Sequence, residues 1–471
     1  MHFRERIPRR TSRFAPLNRP LSGLRHPLPP KGGEGKGEGV VHFQPGFMER
    51  TPRHFDAPCA PEPGKAFHRV PDFARNEWDA VERVLTISGG RFRGSSIQRR
   101  CAIPGAFLLA GMLLCHSQWG SAAVVENYLS ALHGAIAQTR SNLAPLANSA
   151  DRAATDFAAG ANLWVAGRQA DFIGEACGRA GGLMAIAPLN QGIPVKHDVI
   201  LYAVPGSPDA GDLKIIEQWQ EQGATVIRFG SRAGLYRDHF PVDTVANVVD
   251  LWTWTGEFVA ACTRLGRMPV LYQSYGLPGG PERGKKYQGK RFHDDLTIKP
   301  ILAEVLGREY LDRIDHMLAK IGDTQMPKVL KAAAWWGRAA SAAIMVTGHM
   351  FPRHAQDPRS LCPGTLVTVP AWEDKELLDV LHPPPLVLYV GYQFAPRKLL
   401  DQAKALGVKL VYWDVQPAQP PEPASNILYI NPGWPLADGC VAIPGYDVPI
   451  LPASGVIQAA IYWTIASERG P

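Results

Sequence analysis

The chain has 471 residues, of which 45% are hydrophobic and 20% charged. That describes a soluble globular protein long enough for two domains of ordinary size. Its net charge of +7 is crowded into the first hundred residues, so the near-neutral remainder gives no basic footprint for a nucleic-acid partner. The seven cysteines (Cys59, Cys101, Cys115, Cys177, Cys262, Cys362 and Cys440) show no CxxC or Cys/His metal spacing. They read as free buried thiols, and neither a metal nor a cofactor is expected.

Residues 1–75, within an extension bounded at 97, are rich in Pro, Gly, Arg and His, and HPLPPKGGEGKGEG (His26–Gly39) has too few apolar residues to pay for ordering. This region is predicted to be disordered, and it reads as an extension from a start codon placed too far upstream. Residues 98–123 follow the order of a secretory signal peptide. Arg91, Arg93, Arg99 and Arg100 precede the uncharged run CAIPGAFLLAGMLLC (Cys101–Cys115), and Ser121-Ala122-Ala123 supplies the small residues of a cleavage site. The mature chain is then expected to start near Val124 and to be exported, to a periplasmic or extracellular space, from a bacterial cytoplasm. Without that processing the chain is cytoplasmic, and the apolar run is a buried helix. The run falls short of the ~20 residues of a spanning helix, so no stable membrane span is expected in the mature chain.

Val124–Ala159 is predicted helical from Tyr128, Leu129, Leu132, Ile136, Leu143 and Leu146. Leu163–Leu189 then reads strand, turn, helix, Gly stop and strand, one βαβ unit whose turn is a natural anion site. The strands VILYAV (Val199–Val204) and TVIRF (Thr225–Phe229) flank a helix over Leu213–Gln222. Val242–Leu265 is predicted helical. Pro269–Asp295 is glycine-rich, basic and aromatic, and reads as a lid or a linker. A second cycle follows: a helix over Lys331–Ala342, strands at Ala343–Thr347, Thr365–Val369 and Pro385–Gly391, and a helix over Pro396–Leu406. Strands at Lys409–Trp413, Ile427–Ile430 and Cys440–Ile443 and a helix over Ser454–Glu468 complete the chain.

The halves resemble each other. NLWVAG corresponds to AIMVTG, VILYAV to LVLYVG, and GATVIRF to GVKLVYW. The expected architecture is therefore α/β, with two tandem domains built on parallel sheets. Their bounds are 124–268 and 326–471. A basic loop and a connecting helix (269–325) join them.

The segment HDVILYAVPGSPDAGDLKIIEQWQEQGATVIRFGS, the segment EACGRAGGLMAIAPL (Glu175–Leu189) and the C-terminal PILPASGVIQAAIYW resemble the sugar isomerase (SIS) domain. The second segment is similar to the "RAGGL" stretch of uncharacterised phosphosugar-binding SIS proteins. The resemblance spans roughly Val124–Glu468. It implies flavodoxin-like three-layer domains in tandem pairs or homodimers and a phosphorylated or acidic sugar derivative as partner. It also implies either aldose–ketose isomerisation or non-catalytic sensing of a carbohydrate derivative. Carried onto this chain, it implies ligand contacts at Gly167, Arg168, Gln169, Arg179, Gly206, Ser207, Ser231, Thr347 and Gly348. Glu175 is the implied general base, and His349, a histidine at a strand end, is a further acid/base candidate from its near-neutral titration. Where family members carry Gly-x-Gly-x-Ser and Ser-x-Ser-Gly-x-Thr turns, this chain has G-R-Q-A-D and V-P-G-S-P-D-A. Arg168 stands where hydroxyl donors are expected. Glu175 and Arg179 are also spaced for an i,i+4 ion pair. His293-Asp294-Asp295 and the pair His349/His354 with Asp357 are the weaker metal-binding candidates. Arg283, Lys285, Lys286, Lys290 and Arg291 are spaced to close over an anion.

Overall fold

The computed structural model describes residues 120–189, 193–230, 236–237, 240–347, 365–368, 385–392, 395, 397–415 and 424–469. The expectations for the N-terminal extension and for most of the signal-like segment lie outside them. Two helices open the fold, α1 (Gly120–Ser141) and α2 (Leu143–Ala158). The single helix expected here breaks at Asn142, whose φ, ψ of −101°, 16° leave the helical region. The first half then runs β1 (Leu163–Gly167), α3 (Ala170–Ala176), β2 (Ile186–Pro188), β3 (Val199–Ala203), α4 (Ala210–Glu221) and β4 (Thr225–Phe229). A two-stranded ladder, β5 (Tyr236–Arg237) and β6 (Phe240–Pro241), leads into α5 (Val242–Arg264).

The Gly-rich connection is ordered, not a free loop. It holds α6 (Gly280–Tyr287) and is tied by main-chain bonds from Val270 N–H to Arg291 O and from His293 N–H to Met268 O. α7 (Val305–Lys320) continues through a π-helical turn (Ile321–Gln325) into α8 (Met326–Gly337). The second half has β7 (Ala342–Thr347), β8 (Thr365–Thr368), β9 (Leu386–Gly391), α9 (Arg397–Leu406), β10 (Lys409–Trp413) and β11 (Ile427–Tyr429). An antiparallel pair, β12 (Gly439–Val441) and β13 (Ile450–Pro452), leads into α10 (Ser454–Ser467).

The protein is α/β with two parallel sheets. Their strand orders are β2-β1-β3-β4 and β8-β7-β9-β10-β11. Counted from the first strand of each half, both follow the doubly wound 2-1-3-4 sequence, and the second adds a fifth strand. In that order the chain leaves the first strand on one side and the third on the other, opening a crevice at their C-terminal ends.

Side chains alternate across each strand, so each sheet has two faces to bury. On sheet 1, Ile200, Tyr202 and Val204 pack with Ile216 and Ala224 around α4. On sheet 2, Val387, Tyr389, Leu410 and Tyr412 pack with Leu399 and Ala403 of α9. The opposite faces share one core. Leu163, Val165, Leu201 and Ile227 of the first sheet and Ile344, Leu388, Val390 and Val411 of the second belong to the same cluster of buried side chains. α5 and α10 fill the space between, buried from Val242 to Thr263 and from Ser454 to Ala466. Helices buried on every side in this way sit within the core, and α5 carries its polar residues to buried partners. Among the described residues no helix is long and apolar enough to cross a membrane.

Trp252 and Trp463 are, with Trp254, the largest side chains of these helices, and all three are at most 1% exposed. Trp252→Ala and Trp463→Ala are each expected to cost about 3–5 kcal/mol, read as a lower midpoint in urea unfolding.

Candidate functional site

β1 ends at Gly167, with φ of +121°. A Cβ there would lie 1.9 Å from Ala203 O of the adjacent β3. The glycine is therefore required by the close approach of two strands. Arg168 follows it and turns outward. Its Nε and Nη2 donate to both carboxylate oxygens of Asp212, at 3.0 Å and 2.6 Å, and Nη2 lies 3.2 Å from Asp209. Asp212 also accepts from Tyr202 Oη at 2.6 Å and from the Asp209 N–H at 2.9 Å, as the second member of the capping box that starts α4. The Arg168 hydrogen bonds hold the Asp212 carboxyl far below the usual carboxylate range. The Arg168 side chain keeps 52% of its surface exposed.

Gln169 turns inward and is buried. Its Nε2 donates to Asp171 Oδ2 at 3.2 Å and to Thr244 O at 2.9 Å, and its Oε1 accepts from Asn247 Nδ2 at 2.7 Å. Asn247 Nδ2 also reaches Val204 O at 3.3 Å, just past β3. The Gly206 N–H donates to Asp243 at 2.5 Å, and Ser207 beside it is exposed. So α5 presents Asp243, Thr244 and Asn247 to the C-terminal ends of β1 and β3. With Gln169 and Asp171 they make a buried polar floor under the crevice. Gly167, Arg168, Gln169, Gly206 and Ser207 stand together on this edge.

Glu175 and Arg179 go elsewhere. Arg179 is fully buried, 3.1 Å from Glu175, and donates through Nη2 to Asp438 at 3.0 Å and to Ser454 Oγ at 2.6 Å. Asp438 Oδ1 accepts the N–H groups of Ala453 and Ser454 at the start of α10. A Cβ on Gly455, in the same first turn, would come 2.4 Å from Glu175 Oε2. Two carboxylates thus face the positive end of α10 with one guanidinium between them. Burial pushes the Asp438 carboxyl upward, and Arg179 opposes it. Glu175 is 2% exposed. The i,i+4 pair foreseen from its spacing is present, in the core and not on a helix surface.

On the second sheet Thr347 ends β7, while Gly348, His349, His354, Asp357 and Ser231 lie outside the described residues. At the end of β9, Gly391 O accepts from Gln458 Nε2 at 2.7 Å, and Tyr392 Oη donates to Ser274 Oγ at 2.8 Å. Asp414, just past β10, accepts the Ala395 N–H at 2.6 Å, and burial raises its carboxyl to about 7.

Most basic residues of the connection have partners. Arg283 pairs with Asp447, Lys286 with Asp295 and Lys290 with Asp294, while Arg291 donates to Gly160 O and Ala161 O. His293 faces Asp295 and the Tyr446 hydroxyl. No group of three His, Cys, Asp or Glu among the described residues is placed to hold a metal. Cys177, Cys262 and Cys440 are free thiols.

The residues not foreseen are Asp171, Asp212, Asp243, Asn247, Asp438, Ser454 and Gln458. Asp243 and Asn247 lie four apart at the start of a predicted helix, which is a readable one-face signal. Asp209 and Asp212 have capping-box spacing. Asp438 carried no local signal.

Doubly wound order, with a buried polar cluster at the switch of strand direction, defines the class: an α/β protein of flavodoxin-like order. No protein-family model matches the chain, and no curated protein matches it. Among solved structures, the chain is similar to one from Salmonella typhimurium LT2 described as a "Putative sugar binding protein". The TM-score is 0.40 and the identity 9%, covering 73% of this chain and 98% of that one.

Replacing Arg179 leaves Glu175 and Asp438 buried without their cation. Arg179→Met is expected to cost about 3–5 kcal/mol, measured by chemical denaturation. Asp414 gives a pH test. Its folded pKa lies above the unfolded value, so the native state binds the extra proton between about pH 4 and 7, and stability falls as pH rises through that window. Asp414→Asn keeps the acceptor for Ala395. It is expected to flatten that fall and to raise the melting temperature at pH 8.

Proposed function

We propose that the chain binds a carbohydrate derivative at the C-terminal edge of sheet 1, between the turn after β1 and the loop after β3. The observation that carries this reading is the polar floor at the switch point. Gln169, Asp171, Asp243 and Asn247 are buried there beside the Gly206 N–H. Closely set carboxylates and amides suit a ligand dense in hydroxyl groups, each a donor and an acceptor.

Charge refines the ligand class. An acidic or phosphorylated sugar would be gripped by Arg168 with Ser207, and guanidinium suits both anions. Arg168 is already shared by Asp209 and Asp212, and Asp171 and Asp243 stand close by. Four aspartates against one arginine favour a neutral or amino sugar over a phosphosugar. Export of the chain would agree, since phosphorylated sugars are mainly intracellular.

The same geometry favours binding over aldose–ketose isomerisation. A general base must come within hydrogen-bond reach of the proton it removes. Glu175 is occupied by Arg179 and covered by Gly455. A sensing or scaffold role in a tandem SIS-like protein fits these contacts.

A thermal-shift titration with glucose, glucosamine, glucuronate and glucose 6-phosphate tests the reading. Stabilisation grows with the ratio of ligand to Kd. The expected result is a concentration-dependent rise with glucose or glucosamine that exceeds any with glucose 6-phosphate. Arg168→Gln should leave that rise in place and remove any response to the acidic sugars. A flat profile for all four overturns the proposal.

A further inference from the structure

The two enclosed helices carry a repeat of their own. FPVDTVANVVDLW (Phe240–Trp252) and LPASGVIQAAIYW (Leu451–Trp463) align without a gap. The match pairs Pro241 with Pro452, Val245 with Val456, Asn247 with Gln458 and Trp252 with Trp463. In both halves the helix follows a two-stranded antiparallel ladder. Asn247 and Gln458 are thus equivalent positions on equivalent helices.

Their contacts are equivalent too. Asn247 Nδ2 donates to Val204 O directly beyond β3, and Gln458 Nε2 donates to Gly391 O, the last residue of β9. β3 and β9 are the third strands of their halves, each beside the switch point of its sheet. Both side chains are buried, at 1% and 0% exposure. On each, the amide oxygen has no hydrogen-bond partner among the described residues. A buried carbonyl left without a donor costs roughly 1–3 kcal/mol. Each amide NH2 serves a strand-end carbonyl, while the amide oxygen is left without a donor at both equivalent positions, and that shared vacancy points to a ligand donor.

We propose that the chain holds two hydroxyl-recognising sites, one at the C-terminal edge of each sheet. In these sites Asn247 Oδ1 and Gln458 Oε1 each accept a hydrogen bond from a ligand O–H or N–H. The proposal rests on the reading of the sheet 1 edge as a carbohydrate site and extends it to sheet 2. The ligand class is a polyol or amino sugar, because an amide oxygen accepts and does not donate. At the second edge, Tyr392 directly follows Gly391, and its hydroxyl is engaged with Ser274.

Native mass spectrometry of the full chain with the same four sugars counts the sites. Two bound copies of at least one sugar are expected. Asn247→Leu and Gln458→Met should each hold one copy, and the double variant none. The circular dichroism and melting temperature of each variant, read alongside, separate loss of the acceptor from loss of the fold. A single copy on the unaltered chain overturns the second site and leaves the first standing. A folded Gln458→Met chain with two copies overturns the role of the amide. No bound copy of any of the four overturns both this proposal and the carbohydrate reading.

Discussion

The buried guanidinium of Arg179 is the constraint on which the joining of the two halves depends. It draws Glu175 from the first half and Asp438 and Ser454 from the second into one contact. Ion pairs this deep are not cheap, because desolvating the charges offsets most of their attraction. What makes this one tenable is the number of donors around it. Asp438 receives two main-chain N–H groups and the Ser454 hydroxyl as well as Arg179. The start of α10 supplies further positive potential under Glu175. The cluster is satisfied only when α10 and α3 are both in place, so it specifies how the halves meet.

The glycines that follow Arg179 serve the same junction. Gly181 N–H bonds to Tyr272 O, Gly181 O accepts from Leu451 N–H, and Tyr272 N–H returns to Gly182 O. A Cβ on Gly181 would lie 2.9 Å from Leu451 N, and one on Gly182 would lie 3.1 Å from the Trp252 ring. Leu451 itself sits at φ of +61° and Asp438 at +62°. A leucine in the left-handed region is strained and persists only where its surroundings over-determine it. Here the surroundings are the Gly181 backbone on one side and the buried start of α10 on the other. The motif that carried the family resemblance is thus the meeting point of the first half, the connecting segment and β13.

Much of the fold was legible because it is written locally. Apolar runs such as VILYA and KLVYW, each framed by Gly or Pro, became strands at the positions read from them. The pairing of the halves was legible from NLWVAG and AIMVTG. The candidate site was legible only in part. Gly167 was read as part of an anion-binding turn; independently of any ligand, the close carbonyl of Ala203 requires a glycine there. Arg168 was seen as a cation in a turn. Its partner Asp212 lies 44 residues on, and nothing near Arg168 names it. Asp438 lies 259 residues from Arg179. Pairings at such separations are decided by the tertiary fold, and a single sequence holds no periodicity that reports them. The Gly-rich connection, read as a lid or a linker, shows the same limit: Asp447 and Gly160, partners of Arg283 and Arg291, lie far off in sequence.

The junction also bears on how the two edges relate. Tyr392, beside the end of β9, lies in the field of Asp438 and Arg179. Its hydroxyl is held by Ser274, which the connecting segment supplies. The edge of sheet 2 thus draws on the connecting segment through Ser274, whereas the floor of the sheet 1 edge comes from Gln169, from Asp171 of α3 and from α5, all within the first half. The two edges carry corresponding carboxamides, Asn247 and Gln458, in different surroundings. One has aspartates around a lone arginine, and the other an aromatic hydroxyl beside a buried ion cluster. Two sites that share a single anchoring group and differ in the rest are arranged to recognise the same feature of a ligand with different selectivity for what is attached to it.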